Sequence, residues 1–438
     1  MKPLLLLVSL LLSACLAADP GDSSRLINTL DLGYPLKTID FSADGNFLVV
    51  AGAAARAEIY HAELGIRLMA LESQYDQVIN VARFSPDGRL LAIGDEGGNL
   101  LLRDVASGRI IHELVGHAGA IRGVAFSPDG FYLASAGADK QAIIWNLVNG
   151  RQEKTFADHL YPLTGVAYVS DEELLTAAED HQLRRWSVGR EELLEVMAEH
   201  VGAICQLRWS RVARMAITGG TDAKIVGWNA ITGSPKLKLG GHRGDVRALA
   251  FTANGTLLAS GGEDRRLKLW DLASGLFITD LARRAHGTAI SGVAFDPTGT
   301  VLVSCGEDGR VHFWDVPPLS ERMRLLVNRR IRQSGKKKEQ VREELEKDMT
   351  RFFEKNIDWA STLRVGAYEE GSGYFHVESD LLGPLRMIVD PLDLKKVRNN
   401  LDRLEFSFLR MTIEDGEYRV VDLVAFLKGK QRRFVVKP

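Results

Sequence analysis

Five groups of residues in this 438-residue chain have the makings of an acid–base or nucleophilic site. His117, Ser135, Asp139 and Trp145 form the first, His159, Thr176, Asp180 and Trp186 the second, His200, Thr218, Asp222 and Trp228 the third. His242, Ser260, Asp264 and Trp270, then His286, Ser304, Asp308 and Trp314, are the fourth and fifth. In each, Asp follows the hydroxyl residue by four positions and precedes Trp by six. Imidazole, hydroxyl and carboxylate are the parts of a hydrolase triad, in which the imidazole takes the hydroxyl proton and the carboxylate orients it. A catalytic site is needed once, however, and here the set recurs five times with an indole attached. The repetition favours a buried hydrogen-bond chain, because polar groups taken out of water need partners. The histidines also lack metal-ligand spacing, which argues against zinc and leaves no cofactor expected.

The elements that carry these groups repeat. Successive histidines are 42, 41, 42 and 44 residues apart. Within one period, Gly241 to Gly275, lie three β-like runs bounded by Gly, Asn or Asp: Val246 to Phe251, Leu257 to Ser260 and Leu267 to Leu272. A Gly-His start, a Trp-Asp end and a period of about 40–45 residues resemble the WD-repeat family, in which each repeat is one four-stranded propeller blade. The resemblance implies that Asp orients His and the indole N–H reaches the hydroxyl. It also implies an all-β, seven-bladed WD-repeat propeller over residues 23–316, acting as a rigid platform that binds proteins or peptides on its rim and faces. One blade cannot bury both faces alone, so blades stack around an axis.

Blade one is expected around 38–60, and blades two to seven begin near Tyr75, His117, His159, His200, His242 and His286. Blade seven ends at Trp314-Asp315-Val316 without a fourth strand, so Arg25 to Leu32 is predicted to supply it and remove a free edge. Ser85-Pro86-Asp87-Gly88 and Ser127-Pro128-Asp129-Gly130 are tight-turn signals. Blades one and two depart from the pattern. Tyr60 and Arg103 stand at the Trp position, Ala54 and Gly97 at the Asp position, and Tyr75 at the His position of blade two. They read as degenerate blades held by packing, or as blades docked against something else.

Residues 1–14 read as a signal peptide, with Lys2 before an apolar run too short to span a bilayer. Leu12-Ser13-Ala14-Cys15 resembles a bacterial lipobox, which implies lipidation of Cys15 and membrane attachment by two or more acyl chains. The resemblance places the protein at the cell envelope, on the outer membrane facing the periplasm; plain secretion to the periplasm is the other reading. Cys205 and Cys305 fall in strands of different blades and read as inert buried thiols.

Past Pro317-Pro318 the repeat stops. Residues 317–356 read as a basic helical linker, with a helix over Leu319 to Arg332 whose Met323, Leu326, Val327 and Ile331 share a face. A second helix, Glu339 to Lys355, places Val341, Leu345, Met349, Phe352 and Phe353 together. Residues 357–438 read as a small α+β domain: strands near 362–368, 374–377 and 385–389, a helix over 391–404, then a meander over 406–436. It has no Walker loop, CxxC or HExxH motif.

From Pro317 onward there are 25 basic and 20 acidic side chains; the preceding residues carry 30 and 37. A net charge of −2 gives no reason to expect a nucleic-acid partner. The favoured function is a non-enzymatic interaction scaffold tethered by lipid at the envelope, with Tyr161, Arg243, Glu263 and Glu307 as candidate partner contacts. The alternatives are an enzyme or small-ligand site in the propeller channel or C-terminal cleft, and a basic tail that folds over the acidic propeller as a lid.

Overall fold

The computed structural model describes residues 25–337 except 230 and 231, parts of a helical stretch at 339–348, and the backbone of six later strands. The expected signal peptide over 1–14 and Cys15, the side chains of Met323, Met349, Phe352 and Phe353, and the helix expected over 391–404 lie outside the described residues.

Seven four-stranded antiparallel sheets make the propeller, at residues 36–72, 79–114, 121–156, 163–198, 204–240, 246–282 and 290–315. The last takes its outer strand from the other end of the described chain. Leu26–Asp31 pairs with Arg310–Asp315, so the ring closes on its N-terminal strand. Each inner strand carries a register shift after its first residue, between Leu36 and Thr38 in blade one and between Ile121 and Gly123 in blade three. Such a bulge leaves one residue out of the ladder. In blades one, three and six that residue is Lys37, Arg122 or Arg247.

The core lies between blades. Leu100 and Leu102 of blade two pack in one cluster with Ile121, Leu133, Ile143 and Trp145 of blade three. On the lower face, Ser85 closes its turn by donating to Asp87 at 2.6 Å while accepting the Leu90 N–H at 2.9 Å. Gly88 sits at φ 72°, which a side chain would strain.

Helix α1 (Leu319–Ser334) ends at Gly335 in the left-handed region and docks below blades six and seven. Its buried Leu326 and Val327, with Val341 and Leu345 beyond, join the cluster that holds Ile278, Leu281 and Val316. Arg329 donates to the Phe277 carbonyl at 2.9 Å and lies 4.2 Å from its ring centroid, and Lys268 sits 4.6 Å from the same ring. Arg25, just before the closing strand, bridges Asp315 at 3.1 Å and Glu321 of α1 at 2.6 Å.

The six later strands form one antiparallel sheet. Instead of ending a separate meander, Arg433–Lys437 inserts between Leu385–Ile388 and Glu417–Leu427 and joins the two halves. The turns gave the strands, but pairing between distant segments leaves no local mark.

Candidate functional site

The upper face is built by the loops that enter each blade and by the turns between its second and third strands. The first carry the histidines, the second the aspartates. In blade three His117 Nδ1 is 2.8 Å from Asp139, its Nε2 is 2.7 Å from Ser135 Oγ, and the Trp145 indole donates to the same oxygen at 2.8 Å. Asp139 also accepts the Ala118 N–H at 2.9 Å, which ties the entry loop to the turn. Blade five repeats this with His200, Asp222, Thr218 and Trp228, blade six with His242, Asp264, Ser260 and Trp270, and blade seven with His286, Asp308, Ser304 and Trp314. Burial would raise the Asp308 carboxyl, but the hydrogen bond and charge of His286 and two backbone N–H groups hold it down to about 2. All four hydroxyls are fully buried. A nucleophile must reach substrate, and these cannot.

Blade four departs from the expected tetrad. His159 and Trp186 still meet Thr176, at 3.0 and 2.8 Å. Asp180, however, accepts from Arg184 at 2.6 Å, and His159 Nδ1 is buried with no partner among the described residues. Burial, with Arg184 nearby, pushes the His159 imidazole down to about 4. The competitor, Arg184, stands two residues before the Trp, where blades three and five have Ile143 and Val226; Lys268 of blade six, at the same position, reaches Asp280 and leaves its tetrad intact.

Blades one and two replace the tetrad with other polar networks. The Tyr60 hydroxyl donates to buried Glu58 at 2.5 Å, and Arg56 reaches the other oxygen of that carboxylate at 2.7 Å. In blade two Arg103 donates to the Glu72 and Gly108 carbonyls at 2.6 and 3.0 Å. Sequence reasoning missed Glu58. Its signal was a carboxylate two residues before the Trp-equivalent Tyr60 in an otherwise apolar strand.

Ligand atoms of His286, Asp308 and His312 lie within 4.8 Å of one another. Both nitrogens of His286 are already bonded to Asp308 and Ser304, and His312 Nδ1 is 2.8 Å from Thr29 Oγ1 of the closing strand. The bond from His312 ties the closing strand to its neighbour, and the two nitrogens of His286 are taken up within blade seven. Buried Cys305 and partly buried Cys205 have thiols that burial pushes up to about 12, so neither is a ready nucleophile.

Of the four candidate contacts, Tyr161 and Arg243 are exposed on the upper face. Glu263 and Glu307 are engaged near the channel mouth, the first with Arg247 and the second with Lys37 at 3.5 Å and Arg247 at 3.8 Å. What the sequence did not single out is that other apolar side chains near the tetrad histidines are exposed as well. Leu160 is 77 % exposed, Val201 74 % and Val115 82 %, each within two residues of a tetrad histidine.

Residues 108–146, 233–271 and 279–315 match the family described as "WD domain, G-beta repeat". The chain is 32 % identical over 114 residues to the pre-mRNA-splicing factor cwf17 of Schizosaccharomyces pombe, covering 26 % of this chain and 34 % of that one. It is 36 % identical over 84 residues to the small ribosomal subunit protein RACK1y of Oryza sativa, covering 19 % and 25 %. With the APC/C activator protein CDH1 of Saccharomyces cerevisiae it shares 27 % over 112 residues, covering 25 % and 20 %. The chain thus spans about a third or less of the length of these relatives. The seven blades form a β-propeller, and three stretches of it match WD40 repeats.

Proposed function

We propose that this chain is a non-enzymatic interaction scaffold that holds a partner protein on its upper face. The observation that carries this is the exposed group Val115, Leu160, Tyr161 and Val201 on blades three to five, on the face opposite the docked α1 helix. Large apolar side chains left in water beside a rigid framework are what a protein interface covers. Tyr161 supplies an aromatic anchor of the kind that dominates binding energy. The names of two relatives, a ribosomal subunit protein and an APC/C activator, belong to members or regulators of assemblies and support the same reading.

The reading includes a tether: lipid on Cys15 of the Leu12-Ser13-Ala14-Cys15 sequence would fix the protein to the outer membrane, facing the periplasm. Cross-linking and affinity purification from native membranes, with wild type beside Tyr161→Ala/Leu160→Asp, tests the surface. Loss of the captured partner with unchanged melting temperature is expected, and equal capture would refute it. Labelled palmitate retained by wild type and absent from Cys15→Ser tests the tether.

A further inference from the structure

The axial channel has a one-sided charge. Its lining includes Lys37, Arg83, Arg122 and Arg208, and no carboxylate side chain. The bulges put Lys37 and Arg122 at the upper mouth. Deeper, Arg83 and Arg208 occupy the same inner-strand position in blades two and five, one residue before Phe84 and Trp209. Glycines at 123, 165 and 292 keep the channel narrow: a Cβ on Gly123 would stand 2.9 Å from the Gly165 Cα. A cavity of about 50 Å³ remains, room for several waters or one small oxyanion.

The four cations are not equally compensated. Arg122 pairs with Glu179 at 2.5 Å, Lys37 with Glu307 at 3.5 Å and Arg83 with Asp40 at 3.4 Å. Arg208 has no ion pair among the described residues. Its Nη1 donates to two neutral acceptors, the Gln206 side-chain oxygen at 3.0 Å and the Leu207 carbonyl at 3.1 Å. A guanidinium has five donors in a planar fork that fits an oxyanion, so Nε and Nη2 are left for another acceptor. In a narrow channel, less screened than open surface, an uncompensated charge attracts a counter-ion strongly.

We propose that the central channel is a binding site for a phosphate-class oxyanion, with Arg208 as its anchor and Arg83 as the second cation. The site is independent of the apolar group on blades three to five. The ligand could be free phosphate or the end of a small phosphomonoester, since both present the same oxygens to the fork.

Isothermal titration of the full chain with inorganic phosphate, and separately with glycerol phosphate, tests it at two salt concentrations. Wild type is expected to bind one phosphate per chain, with binding persisting at about 0.15 M salt, where exposed charges are largely screened. Arg208→Gln should weaken it at least about tenfold, Arg208→Lys less, and Tyr161→Ala not at all. Lys at 208 keeps the charge without the fork, so it remains informative should the Gln variant fold poorly. Glycerol phosphate binding as well as phosphate assigns the site to phosphomonoesters, and phosphate alone assigns it to the free ion. Absence of binding in wild type, binding that disappears with salt, or equal binding by both Arg208 variants would overturn the proposal.

Discussion

Blades three and four carry the same four kinds of residue at nearly the same spacing, yet only one forms a closed chain of hydrogen bonds. In blade three the carboxylate of Asp139 orients His117 and anchors the entry loop. In blade four Arg184 takes the carboxylate, and His159 keeps its hydroxyl partner but loses its acid. The His159 ring lies 5.4 Å from Trp186, against 6.4 Å for the corresponding pair in blade three. The difference teaches that the tetrad residues define a possibility. In blade four a competing guanidinium takes the acid, whereas the equivalent Lys268 of blade six pairs with Asp280 and leaves its tetrad closed.

The indole half is common to both blades, and removing it should give the largest effect. Trp145→Ala and Trp186→Ala each take away a fully buried ring and strip a hydroxyl of its donor. Each is expected to cost about 3–5 kcal/mol in urea unfolding, the usual range for a buried Trp. A much smaller loss at Trp186 would mean that the missing carboxylate has already loosened blade four, and the two blades would then differ in packing as well as in bonding.

Much of this was legible because local chemistry repeats. The Ser-Pro-Asp-Gly turns, the histidine period and the Trp-Asp ends each mark one position in a blade, so the number of blades and the closing role of Leu26–Asp31 could be read directly. What escaped depends on which side chain wins a shared partner. Asp180 stands at the right spacing for His159, but a guanidinium from the adjacent strand position reaches it first. Glu58 was hidden for the same reason, since only the fold brings Tyr60 and Arg56 onto its two oxygens. The channel cations were visible as scattered Lys and Arg; that four of them line one space follows only from closing the ring.

Acid should separate the two blades next. His159 is buried and neutral, and its imidazole lies at about 4, below the ordinary 6.5 of an unfolded chain. The unfolded state therefore binds the proton first, so this group's contribution is complete above about pH 6.5 and falls as pH drops toward 4. Between pH 7 and 5 the loss is about 2 kcal/mol. His312, also at about 4 because of burial and the neighbouring His286, adds a similar slope through the closing strand. His159→Gln should remove roughly half of the acid-dependent loss assigned to these two groups, read from unfolding free energies at the two pH values. An unchanged slope in that variant would show that His159 does not titrate as a buried neutral group.

The smallest effect should come from Arg184→Val, which gives blade four the side chain found at Val226 in blade five. Removing one partner of a buried ion pair normally costs about 3–5 kcal/mol, because the other charge is left stranded. Here Asp180 has a second partner within the same blade, the unpaired Nδ1 of His159, and the equivalent atoms bond at 3.0 Å in blade five. The substitution also removes a buried guanidinium donor that has no acceptor, Arg184 Nη1. If the carboxylate turns to the histidine, the desolvation cost is met by the new bond. The expected net change is then a gain of at most about 1 kcal/mol, the usual size of one internal hydrogen bond. The same rearrangement must raise the His159 imidazole from about 4, which proton NMR of its ring would follow directly. A loss near 3 kcal/mol with an unmoved imidazole would mean that Asp180 stays where Arg184 left it, and that the backbone of blade four, not one side chain, separates it from blade three.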